Sequence, residues 1–151
     1  MTPVKARPAR GAYSGRMNER PLIGSDREQI LSLPAETQYA PNGIVSRTLL
    51  RTATLRTVLF GFAEGQELTE HTSTQQALIQ ILSGECEFTF AGRPHSMTAG
   101  DFLYLPPNVP HAVKATRQFS MLLILSKPTQ PSEPAPNPPA SLASQRELST
   151  P

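Results

Sequence analysis

From Gly43 to Lys127 the apolar runs are short, and each is closed by a turn signal before a helix of useful length could form. Residues 44–50 and 55–62 are rich in β-branched and aromatic side chains, the composition of strands. Ala63-Glu64-Gly65-Gln66 then turns the chain. Residues 77–82 are too few for a buried helix between such turns and read as a strand. Ser83-Gly84 supplies a tight hairpin, where a glycine takes positive φ without a steric penalty. On the return, Cys86, Phe88 and Phe90 alternate with Glu85, Glu87 and Thr89, so the apolar set faces one way. Ala91-Gly92-Arg93 and Ala99-Gly100 turn again, and residues 95–98, 101–105, 111–115 and 119–125 complete the series. Short strands between turns predict an all-β sandwich or barrel.

Composition changes on both sides of this block. Residues 1–27 have no period and read as a flexible basic arm: six basic groups stand against two acidic ones. Residues 28–127 form the predicted barrel, opening with a helical turn or short strand over 28–33 that Pro34 ends. Residues 128–151 carry Pro128, Pro131, Pro134, Pro136, Pro138, Pro139 and Pro151 and read as an extended, disordered tail.

The formal net charge of +2 hides this division, because the basic excess sits in the arm while the predicted fold is slightly acidic. Apart from Tyr13, no aromatic residue interleaves with the arm's arginines, so no nucleic-acid module is read here. Cys86 is the only cysteine, which excludes an internal disulfide and sets a reducing, cytoplasmic compartment as the expectation. The basic amino terminus lacks the apolar stretch of a secretory signal, and no run approaches the length of a membrane span.

His71 and His111 stand forty residues apart at matching ends of the strand series, a placement that suggests one small cavity in a barrel. The residues around them resemble the two motifs of the cupins, specifically the small single-domain members of the conserved-barrel type. Gly65 opens the first motif, His71 takes its first histidine, and Leu82-Ser83-Gly84-Glu85 matches its close. Gly100-Asp101 opens the second, Pro107-Asn108 lies at its turn, and Pro110-His111-Ala112 closes it. The resemblance covers roughly residues 40–127. It implies a cupin double-stranded β-helix, a jelly-roll barrel of two antiparallel sheets. It also implies a divalent metal (Zn, Fe, Mn or Ni), which metal-binding members hold with three histidines and a glutamate.

Several positions depart from that pattern. Ser73 stands at the second histidine, Ala77 at the glutamate, and Ala115 at an asparagine, while Asn108 replaces a turn glycine. Asn tolerates the left-handed region better than most residues. Only His71 and His111 carry over as metal positions. Ser73 and Gln76 join them as ligand-binding candidates, in a polar recess walled by Ile79, Ile81, Phe88, Met121 and Leu123. Gln75, Glu70 and Cys86 are further donors near the pair; alternation turns Glu70 away unless the chain bulges, and Cys86 reads first as a buried, inert residue. His95 reads as surface.

Three functional classes stay open: a barrel that binds a small molecule, a metal-dependent enzyme of the oxygenase or isomerase kind, and a non-catalytic interaction platform. Fold alone does not choose among them. The apolar edge at Ile44, Val45, Leu49 and Leu50 needs a partner or a cover, and a homodimer is the expected assembly.

Overall fold

A computed structural model describes residues 20–128. The first nineteen residues of the basic arm and the proline-rich tail from residue 129 lie outside the described residues. Nine strands follow one short helix: α1 (Leu33–Glu36), β1 (Ile44–Arg51), β2 (Leu55–Phe62), β3 (Glu67–His71), β4 (Gln76–Ser83), β5 (Glu85–Phe90), β6 (Arg93–Thr98), β7 (Phe102–Leu105), β8 (His111–Ala115) and β9 (Phe119–Ser126). They form two antiparallel sheets, of order β1-β2-β9-β4-β7 and β3-β8-β5-β6. This is the jelly-roll architecture of the double-stranded β-helix. Among the described residues no helix is long and apolar enough to cross a membrane.

The interior is built from the alternating positions of both sheets. Val58, Phe60 and Phe62 of β2, Ile79 and Ile81 of β4, Cys86 and Phe88 of β5, and Phe119 and Met121 of β9 are buried in one cluster. Phe62 stacks on Phe119 with ring centroids 4.5 Å apart, which locks one end of the barrel. The turns obey their φ requirements: Gly84 lies at +76°, and Asn108 takes the left-handed region at +65°.

Two features differ from the sequence reading. Pro34 does not end an element. It sits in the first turn of α1, where its missing N–H is no loss, and Ser32 caps that helix. The stretch 67–71 is a strand although Leu68 is its one apolar residue with partial cover. Pairing with β8, and not its own pattern, makes it one.

Residues 20–40 lie against the outer side of the five-stranded sheet. The Leu22 and Ile23 N–H groups donate to the Thr48 and Leu49 carbonyls, so part of the exposed β1 edge is covered by the chain's own backbone. Arg47 of β1 holds α1 through the Glu36 carbonyl at 2.8 Å and its carboxylate at 2.6 Å. Farther along, the Gln38 carbonyl passes so close to Gly61 that any side chain there would overlap it. Beneath this segment Leu49 and Leu59 are buried, apart from the interior cluster.

Candidate functional site

His71 and His111 meet because of an irregularity. Leu68 pairs with Val113 and His71 pairs with His111, so two residues of β3 (Thr69 and Glu70) stand against one of β8 (Ala112). Without that bulge, regular alternation would set Glu70 opposite His111. With it, Glu70 turns to the outer face beside Glu87 and Thr89, and His71 takes the inward place. The imidazole centroids are 4.4 Å apart with ring planes at 59°.

Both rings are held by the same device. Nδ1 of His71 lies 2.7 Å from the Thr69 carbonyl oxygen, and Nδ1 of His111 lies 2.8 Å from that of Val109. A carbonyl only accepts, so each Nδ1 carries the proton and donates it. In the neutral ring Nε2 then keeps its lone pair. His111 is half-buried, and its pKa is lowered from the ordinary 6.5 by desolvation; the Val109 carbonyl opposes that shift and the neighbouring His71 adds to it. The neutral form is therefore the resting state of His111 near pH 7.

Below the pair opens a cavity of ≈ 420 Å³. Its apolar walls are Phe60, Leu68, Ala77, Leu105, Pro106, Val109, Leu123 and Leu125, and its polar side is Glu67, Thr69, His71, Ser73, Gln75 and His111. That size and lining suit a small organic molecule. Ser73 reaches the cavity as expected; its Oγ accepts from the Gln75 N–H at 3.1 Å, and its carbonyl accepts from the Asn108 N–H at 2.7 Å. The second bond fastens the β3–β4 loop to the β7–β8 turn across the mouth.

Gln76 does not join them. Ala77 faces inward, so period-two alternation turns Gln76 outward, where Ser126 accepts from its amide and Tyr104 donates to it. Gln75 lines the cavity instead. Of the expected walls only Leu123 serves; Ile79, Ile81, Phe88 and Met121 pack solid beneath the cavity. The remaining walls come from strand ends and from the Pro106–Val109 turn, where apolar residues carry no strand pattern to mark them. Cys86 is fully buried in the core, away from the cavity, and burial, with Asp101 nearby, pushes its thiol pKa up to about 12. His95 is not a surface residue: it is half-buried, stacked on Phe90 at 4.0 Å, and its Nδ1 is buried without a hydrogen-bond partner.

The Cupin domain family matches residues 58–125. A conserved protein of unknown function from Streptococcus pyogenes is 30% identical, with a TM-score of 0.65, over 76% of this chain and 99% of its own. A cupin superfamily protein from Desulfitobacterium hafniense is 27% identical, with a TM-score of 0.63, over 68% of this chain and 94% of its own. The chain belongs to the cupin family. A cupin 2 conserved barrel domain protein from Leptotrichia buccalis is 35% identical over 64% of this chain and 47% of its own, with a TM-score of 0.61. No curated protein matches this cupin in sequence.

Membership raises the question of a metal. The donor set of this cupin does not fit the three-histidine, one-glutamate centre that the resemblance implies. His71 and His111 present free Nε2 lone pairs, but Ser73 and Ala77 occupy two other ligand positions. Among the described residues no group of three or more His, Cys, Asp and Glu side chains is placed to hold an ion. Two imidazoles fall short of the three protein ligands of a tight divalent site.

Proposed function

We propose that this cupin binds a small organic molecule in the cavity under His71 and His111, without needing a resident metal. The observation that carries the reading is a largely apolar chamber of ≈ 420 Å³ whose lining includes the paired His71 and His111 with Ser73 and Gln75. His71 and His111 fix the ligand's polar end, Ser73 and Gln75 border them, and Leu105, Leu123 and Leu125 hold its body. Isotope-labelled methyl spectra test this. A fragment mixture should shift the Leu105, Leu123, Leu125 and Val109 methyl signals, and Ala77→Leu, which fills the inner wall, should abolish those shifts while the protein stays folded. Equal shifts in Ala77→Leu would remove the cavity from consideration.

A metal-dependent enzyme of the oxygenase or isomerase kind is the second reading, favoured by the free Nε2 of both histidines. Elemental analysis of wild type, His71→Ala and His111→Ala decides it. Near-stoichiometric Zn, Fe, Mn or Ni in wild type, lost from both variants, would replace the first reading. A platform role predicts partner binding that disappears on tail truncation alone, and light scattering measures the proposed homodimer.

A further inference from the structure

We infer that the molecule taken by this cavity is neutral and presents two neighbouring hydroxyl groups, a vicinal diol or catechol, on an apolar body. The inference rests on the cavity-binding reading above. It follows from what the polar side of the chamber offers. Each histidine spends its N–H on a backbone carbonyl, Thr69 for His71 and Val109 for His111. What remains on each ring is an acceptor, Nε2, so the pair is two acceptors with no donor between them. With centroids 4.4 Å apart, they can be served together by hydroxyls on adjacent carbons. A ligand with acceptors alone would leave the lone pair of half-buried His111 unmet, which is a lasting penalty, and would gain nothing from the exposed His71.

Charge points the same way. Among the described residues no lysine or arginine lines the chamber, and Glu67, the one charged residue at its border besides the histidines, alternates with inward Leu68 and pairs with Lys114 on the outer face. A carboxylate or phosphate would meet no counter-charge there. An ammonium group would supply donors, but it would carry a full charge against mostly apolar walls.

The experiment uses the full chain in chelator-treated buffer, so that no trace metal bridges a diol to the histidines. Calorimetry compares four aromatic probes of similar size: catechol, benzoate, benzylamine and toluene. Methyl and imidazole NMR locate each one. Catechol should bind at least tenfold more tightly than benzoate or benzylamine. His71→Phe and His111→Phe keep a ring but remove the acceptor; each should weaken catechol about tenfold, the effect of one hydrogen bond, and leave toluene unchanged. Benzoate or benzylamine equal to catechol, or catechol indifferent to both variants, would overturn the diol. Toluene binding with no catechol advantage would do the same while sparing the cavity reading. Silence from all four probes would sink both.

Discussion

Gly84 offers a controlled test of how this barrel is closed. It ends β4 at φ +76°, and a methyl group on its Cα would overlap the Gln118 carbonyl oxygen and sit 2.8 Å from Cα and Cβ of Phe119. Gly100 shares the positive φ, at +93°, yet a Cβ there would meet nothing within 4 Å. Alanine at either place carries the left-handed penalty, about 1–2 kcal/mol. Only at Gly84 must something also move. Phe119 has no room to retreat, because it is fully buried and stacked on Phe62. Overpacking of this kind adds about 1–3 kcal/mol. Gly84→Ala should therefore cost about 2–5 kcal/mol and Gly100→Ala about 1–2 kcal/mol. The larger loss is a substantial part of an ordinary domain's total stability. Urea unfolding followed by far-UV circular dichroism suits a chain without tryptophan. Costs for the two variants that agree within about 0.5 kcal/mol, the scatter of neutral surface changes, would refute the close-approach argument and leave backbone conformation as the whole effect.

Other expectations follow from the same geometry. His71→Ala and His111→Ala should each weaken catechol about tenfold in calorimetry and shift stability by less than about 1 kcal/mol, since both rings line the cavity and neither belongs to the core cluster; unfolding of either variant in circular dichroism would recast them as core residues. Ala91 occupies the hairpin turn at φ +52°, so Ala91→Gly should stabilise by about 0.5–1 kcal/mol in the same urea assay, and a loss would contradict it. Because the folded pKa of His111 lies below 6.5, the unfolded chain takes its proton first as the pH falls. That group's contribution is therefore flat above its ordinary pKa and declines from about 6.5 down to the lowered value; His111→Gln should flatten this part of the profile of urea midpoint against pH. Arg47→Ala should cost about 1 kcal/mol by removing two part-buried hydrogen bonds to Glu36, and should speed protease cleavage near α1.

Most of the barrel was legible because its strands carry their own pattern. The alternation of Cys86 and Phe88 against Glu85 and Glu87, and the turns at Gly84, Gly92 and Gly100, state both element and face locally. The strand at Glu67–His71 was not legible, since β8 supplies the reason for its extended form from more than forty residues away. Pro34 misled because a proline near an apolar run serves equally as a stop and as a helix start; Ser32 two residues before it was the signal for the second. At the site, His71, His111 and Ser73 were found through motif positions. Gln76 was misplaced by one residue, although Ala77 in the inward register already turns its neighbour out. The chamber's walls escaped for a different reason. Whether Ile79 and Phe88 line a void or fill it depends on how the two sheets close on each other, which no single strand encodes.

The strip of chain from Arg20 to Ala40 bears on what counts as the transferable unit of this protein. The family match begins at residue 58, and β1 begins at Ile44, so either would be a natural place to cut. Yet Leu59 faces away from the barrel's interior and is almost wholly hidden, as is Leu49 beside it. What hides them is sequence that carries no motif. A graft or fusion cut at Ile44 would carry the cavity and both histidines into its new setting while leaving a greasy stripe in water. The motifs mark the two histidines and their cavity; the piece that keeps the protein well behaved outside its native context starts at least twenty residues before β1.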